Sequence, residues 1–291
     1  MTSATTRDLV DAHLHLWELA RHPQPWIDPA TMGEIARDFT VADAAAELGS
    51  HGIAAGVVVQ ADNSLSETED LLAGAADGGV VAAVVGWVDL TGDVPAQVAH
   101  LRGLPGGDAL VGVRHLAHLE PDPAWLLRPD VVAGLRAVAR AGLRLELVVR
   151  AHQLPVVTEL VDALPDGTFV LDHLGKPPLL AGGAELERWR TDLARLAERG
   201  SVVAKVSGLV LEADHEQWTA ESLRPAVDHA LETFGPDRLM FGSDWPLVRL
   251  TRGYTAWREA YGRLTDALSP SEQEAIDHGT ARRTYLADRR A

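Results

Sequence analysis

LVDAHLHL, residues 9–16, is a short apolar run in which two histidines flank a single leucine. Its composition marks a strand. Side chains along a strand alternate between faces, so His13 and His15 share one face. Seven more runs of this kind follow: AAGVVVQA (54–61), VAAVVGWVDL (81–90), LVGVRHL (110–116), LRLELVVR (143–150), TFVLDHLG (168–175), SVVAKVSG (201–208) and RLMFGSDW (238–245). Most are apolar on both faces, as expected of parallel strands covered by helices.

The stretches between them read as helices. ETEDLLAGAAD (67–77) carries acids in its first turn, where they complement the helix dipole. PDVVAGLRAVARAGL (129–143) starts at Pro129 and stops near Gly142, a normal start and stop pair. LPVVTELVDAL (154–164), AELERWRTDLARLAERG (184–200) and ESLRPAVDHALETFG (221–235) repeat the pattern. TAWREAYGRLTDAL (255–268) and SPSEQEAIDHGTARRTYLAD (269–288) close the chain, the latter with Ser269 and Pro270 as cap and first turn. Eight strand–helix repeats predict an α/β protein, a (β/α)8 TIM barrel forming one domain over residues 1–291. An open doubly wound sheet is the alternative, but no glycine-rich phosphate turn follows the first strand. The long loop 17–40, with Trp17 and Trp26, sits at the end of the barrel where active sites lie and is expected to cover one.

Composition narrows the partners. The 291 residues hold 26 Lys and Arg against 42 Asp and Glu, a net charge of −16. A polyanion would be repelled, so neither nucleic acid nor an anionic membrane is an expected partner. No cysteine is present, which removes disulfides, thiolate metal ligands and cysteine nucleophiles. MTSATTRDLVDAHLH, at the N-terminus, has no apolar leader, and VVAAVVGWV (80–88) is too short to span a bilayer. The expectation is a cytoplasmic enzyme; a homo-oligomer is left open.

Barrel chemistry gathers at the C-terminal ends of strands. Those ends offer His13 and His15, Gln60, Trp87 and Asp89, Arg114 and His115, Glu146 and Arg150, Asp172 and His173, Lys205 and Ser207, then Ser243 and Asp244. His13 and His15 can hold a metal or donate to one substrate oxygen, or else pack in a core. In LDHLGKP (171–177), alternation puts His173 on the face of Leu171 and Asp172 on the other. In FGSDWP (241–246), Asp244 can take a proton from water, ligate a metal, or simply brace a turn. Arg114 can carry an oxyanion's charge or pair with an acid such as Glu146. Lys205, flanked by apolar residues, needs an acid partner or a place in the pocket. Trp87 and Trp245 are candidate pocket walls.

DAHLHLW, VGWVDL, GVRHL, FVLDHLGKPP, VAKVSGL and LMFGSDWP stand in an order that resembles the amidohydrolase superfamily. More narrowly they resemble the amidohydrolase-related branch that includes sugar lactonases and 2-pyrone-4,6-dicarboxylate lactonase. HGTARRTYLA resembles that family's closing G-N-A-x-x-x-Y segment, with Thr280 where Asn is usual. The resemblance implies catalytic roles for His13, His15, His173, Asp244 and Arg114. It implies either no cofactor or one divalent metal ion such as zinc, held by His13, His15, His173 and Asp244. Strand five lacks the histidine that many metal-dependent members use. The implied reaction is hydrolysis of a sugar-derived lactone, with Asp244 activating water and Gln60, Trp87, Arg150, Lys205 and Trp245 contacting a small-molecule substrate. A dicarboxylate lactone would instead need clustered cations, for which Arg114, Arg150 and Arg249 are available. The rivals are a metal-dependent decarboxylase of aromatic acids and a ligand-binding barrel without catalysis.

Overall fold

Valine-rich runs bounded by turns become strands, and the segments between them become helices that pack on the outer face of the sheet. The structure, a computed structural model, describes residues 9–287. Residues 1–8 of the N-terminal stretch and Asp288 of the last helical stretch lie outside them. β1 (Val10–Leu14), β2 (Ala55–Val59), β3 (Val81–Gly86), β4 (Leu110–His115), β5 (Arg144–Leu147), β6 (Phe169–Leu171), β7 (Val202–Val206) and β8 (Leu239–Phe241) pair in parallel and in chain order. β8 returns to β1 through the turn that carries Asp244. The N–H of Asp244 donates to His13 O at 2.8 Å, and the N–H of His15 donates to Trp245 O at 2.7 Å. The (β/α)8 barrel is thus closed by the residues that build its upper rim.

Each strand is followed by a helix: α1 (Val41–Ser50), α2 (Leu65–Ala75), α3 (Val94–Arg102), α4 (Pro129–Arg140), α5 (Leu154–Ala163), α6 (Gly183–Ala197), α7 (Ala220–Phe234) and α8 (Gly253–Leu264). α1 and α3 fall where the sequence reading named no helix. α1 is set by a capping box in which Thr40 and Asp43 satisfy each other's backbone N–H. α3 is set by Asp93 accepting from Ala96 N, with proline in the first turn. α9 (Pro270–Glu274) has the expected Ser269 cap and runs into two wide π-helical turns, Ala275–Gly279 and Arg282–Leu286.

Two apolar layers result. Outward side chains such as Val58, Val84, Leu145, Leu171 and Phe241 pack under the helices. Inward ones, among them Val57, Val85, Val170 and Met240, fill the barrel together with Ala281 and Tyr285 from the C-terminal turns. Among the described residues no helix is long and apolar enough to cross a membrane.

Candidate active site

Strand alternation alone would not aim His13 into the barrel. Val10 and Ala12 face inward, which would leave His13 outside with Asp11. A β-bulge corrects this. Between Asp11 and Leu14, β1 advances three residues while β2 advances two, from Gly56 to Val58. The extra residue lets Ala12 and His13 both face inward, Leu14 outward and His15 inward. Asp11 stays behind as a brace, accepting from Ser243 N at 2.8 Å and Tyr254 OH at 2.9 Å.

β6 also departs from the sequence reading. The strand ends at Leu171, so Asp172 continues the inward face of Val170. His173 then takes φ +53°, and Leu174, Gly175 and Lys176 are left-handed too. Such φ values are uncommon outside glycine. The turn swings the His173 ring back over the barrel rather than along the face of Leu171. There it meets Ser207 Oγ at 2.9 Å and the His13 ring at 4.5 Å between centroids.

Asp244, itself at φ +59°, faces the three imidazoles. Its carboxylate lies 3.2 Å from His15 Nε2, 3.7 Å from His13 Nε2 and 3.9 Å from His173 Nε2. His13 Nε2 and His15 Nε2 are 3.1 Å apart. His15 Nδ1 stands 2.7 Å from Val59 O, which can only accept, so Nδ1 carries the proton. Burial would raise Asp244, yet the adjoining imidazoles of His173, His15 and His13 outweigh it and hold the carboxyl well below its ordinary range. Burial pushes His173 down to about 4 and His13 well below its usual value, so both are neutral at pH 7.

Beneath this group lies a closed set of charges. Lys205, fully buried, pairs with Glu146 and stands 3.3 Å from Asp172 and 3.1 Å from His13 Nδ1. Arg114 donates to Asp172 at 2.9 Å and to the backbone oxygen of Gln60. The partner of Arg114 is therefore Asp172 rather than Glu146. Tyr285 donates to Glu146 at 2.6 Å from below. Burial, then Asp172, raises Glu146 to about 7. Asp172 is held low because Lys205, His13 and Arg114 outweigh its burial.

His15, Arg114, His173 and Asp244 open onto one cavity at the barrel mouth, with His13 directly under them. Its remaining walls include Trp26, Leu116, His118, Lys176 and Leu247. The five side chains expected to contact substrate stand elsewhere. Gln60 is buried and braces Arg114, its Nε2 donating to Arg114 O at 3.1 Å. Trp87 donates to His115 Nδ1 at 3.1 Å. Lys205 forms the floor just described. Trp245 packs edge-on against Phe39. Arg150 is exposed and lines a neighbouring groove that shares Lys176 with the cavity. Arg249 pairs with Glu34 and Glu47, away from Arg114. His118 had no sequence signal. Burial, then Lys176, Arg114 and Arg150, depress it to about 3, so it faces the cavity neutral.

The donor atoms also suit a cation. His13, His173 and Asp244 each offer a ligand atom within 4.8 Å of the others. Asp244 Oδ1 is buried and accepts no hydrogen bond. The spacings of 3.1 and 3.2 Å from His15 Nε2 to His13 and Asp244 compare with ~3.3 Å between ligands about a tetrahedral zinc. The residues present therefore fit a small divalent ion.

This barrel, with paired histidines on its first strand and a carboxylate after its eighth, is that of the amidohydrolases. The chain belongs to the amidohydrolase family, whose model matches residues 10–286. It is 36% identical to an L-fucono-1,5-lactonase of Burkholderia multivorans over 95% of both chains. A second L-fucono-1,5-lactonase, from Burkholderia ambifaria, is 33% identical over 96% of both. A crystal structure of a Burkholderia multivorans amidohydrolase with bound zinc superposes with a TM-score of 0.90, at 36% identity over 96% of this chain and 99% of that one.

Proposed function

We propose that this chain hydrolyses a sugar-derived lactone, an aldonolactone such as L-fuconolactone or L-rhamnonolactone, to its open-chain acid. The observation that carries the reading is the convergence of Asp244 with His13, His15 and His173 at a cavity that Arg114 also lines. The two L-fucono-1,5-lactonases, matched over nearly their whole length, support the substrate class. In this reading residues 1–291 work as one barrel domain.

Asp244 accepts a proton from water as the water oxygen bonds to the lactone carbonyl carbon. Arg114, the strand-one histidines and His173 face the carbonyl oxygen as it becomes negative. One well-placed donor of this kind is worth ~3–4 kcal/mol of barrier. The ring C–O bond then breaks, the proton on Asp244 passes to the leaving oxygen, and the carboxylic acid formed ionises in water. His13, His15, His173 and Asp244 are the residues that would hold a divalent ion such as zinc, which when bound supplies Lewis-acid polarisation of a carbonyl.

The test is a panel of aldonolactones followed with a pH indicator, since each hydrolysis releases a proton. Asp244→Asn is expected to abolish turnover while the circular dichroism spectrum stays native. A variant that hydrolyses normally removes Asp244 as the base. An obligatory metal with no lactone turnover would transfer the site to the decarboxylase reading, and ligand binding without turnover of any substrate to the non-catalytic one.

A further inference from the structure

Two of the cavity's walls come from loops outside the Asp244 group. One is Trp26, from the long loop after β1; the other is Ala61, from the loop after β2. Both are tied to a single buried carboxylate on α2. Glu67 Oε2 accepts from Ala61 N and Asp62 N, each at 3.0 Å. Glu67 Oε1 accepts from Gln24 Nε2 at 3.0 Å, and Gln24 Oε1 in turn accepts from Trp26 Nε1 at 2.8 Å. Glu67 is 1% exposed and Gln24 5%.

The polarity of this chain is fixed at one end. A carboxylate only accepts, so Gln24 must turn its NH2 toward Glu67. Its carbonyl oxygen then points the other way, at an indole N–H that only donates. Each group satisfies the next, and reversing Gln24 would break both bonds. One helical turn on from Glu67, Asp70 fastens the same loop, accepting from Arg21 Nη2 at 2.7 Å and pairing with His22 Nε2 at 2.5 Å. α2 is thus the anchor of the loop after β1.

We infer that Glu67 is a positioning residue that sets the substrate-binding wall of the cavity by orienting Gln24 and, through it, the Trp26 ring. This rests on the lactone-hydrolase reading for its kinetic readout only. Trp26 contributes to binding rather than to the reacting atoms, and lost uniform binding raises KM without changing kcat.

The experiment compares wild type, Glu67→Gln and Trp26→Phe at pH 8. The Gln variant keeps the shape but presents an NH2 where Gln24 needs an acceptor. It is expected to raise KM about tenfold, the scale of one lost hydrogen bond to a charged group, with kcat within about threefold. Amide hydrogen exchange in residues 17–40 should quicken by a similar factor, while the β-strands stay protected. Trp26→Phe should raise KM alike, and the double variant should add little. Unchanged KM and unchanged exchange in Glu67→Gln would overturn the inference, as would additive effects in the double variant. Quickened loop exchange in Glu67→Gln, beside a wild type that hydrolyses no lactone, would leave the positioning intact and sink the functional reading instead.

Discussion

Gly208 offers a measurement of how tightly the Asp244 group is packed. It has φ +63°, and a Cβ added there would lie 2.5 Å from His173 Nδ1 and 2.9 Å from Asp244 Oδ2. Gly142, just past the end of α4, also has a positive φ, +74°, with nothing within 4 Å of its would-be Cβ. Gly142→Ala therefore supplies the cost of a positive φ without a clash, ~1–2 kcal/mol. Gly208→Ala adds overpacking of ~1–3 kcal/mol, for a total of ~2–5 kcal/mol. To restore an ordinary contact of 3.4 Å, the His173 ring must retreat by about 0.9 Å. Misplacement on that scale costs ~100-fold in rate, and Ser207, which holds the same ring, cannot follow without leaving its strand end. Urea unfolding of both variants, with lactone turnover in parallel, is the assay. Equal destabilisation of the two variants with turnover intact would refute the packing of His173 against Gly208 and Asp244.

Lys205→Met leaves Glu146 and Asp172 facing each other without their shared cation, which should cost ~3–5 kcal/mol in urea unfolding; adding Glu146→Gln should recover much of it. Burial raises Glu67 from 4.5 to about 7, so its contribution to stability is full below pH 4.5 and is lost as pH rises through 7. Wild type should therefore lose ~3 kcal/mol relative to Glu67→Gln between pH 4.5 and 7.5, and parallel stability curves would contradict the burial argument. Zinc added to metal-free protein should raise the unfolding midpoint of wild type more than that of His13→Ala, because binding to the native state alone stabilises it.

The strands were legible because each is a short apolar run with turn residues at both ends, and all eight stand where those runs stand. The meeting of His13, His15, His173 and Asp244 was foreseeable in kind from their strand-end positions. The way they meet was not. It depends on a bulge at Asp11–Leu14 and a left-handed turn at His173, and neither leaves a mark in an alternation pattern that assumes ideal strands. The need of Lys205 for an acid could be read from its apolar neighbours. Which acid could not, since Glu146, Asp172 and Arg114 come from three separate strands and the pairing is set by barrel register. Trp26 lay in a loop suspected of covering the site, but Glu67 had no such signal: an acid near a helix start is ordinarily a solvent-exposed partner of the dipole, and here it is turned inward to hold a loop.

The low basicity of Asp244 bears directly on how such a site would work. A carboxylate held well below its usual range accepts a proton reluctantly. Yet His15 and His173, two of the groups that depress it, line with Arg114 the same cavity that would face the lactone carbonyl. In the proposed reaction, as a proton moved from water to Asp244, negative charge would leave the carboxylate and appear on the carbonyl oxygen. The Arg114 guanidinium, which lines the same cavity, would favour the charge at its new position. His15 is pinned by Val59 O, His173 by Ser207 and Arg114 by Asp172 and Gln60, so none of them has to reorganise as the charge moves. The buried charges under the site then have a definite use. They hold His13 and Arg114 in place from below, where an apolar floor would leave the arginine free to swing, and the rate would be lost in orientation rather than in charge.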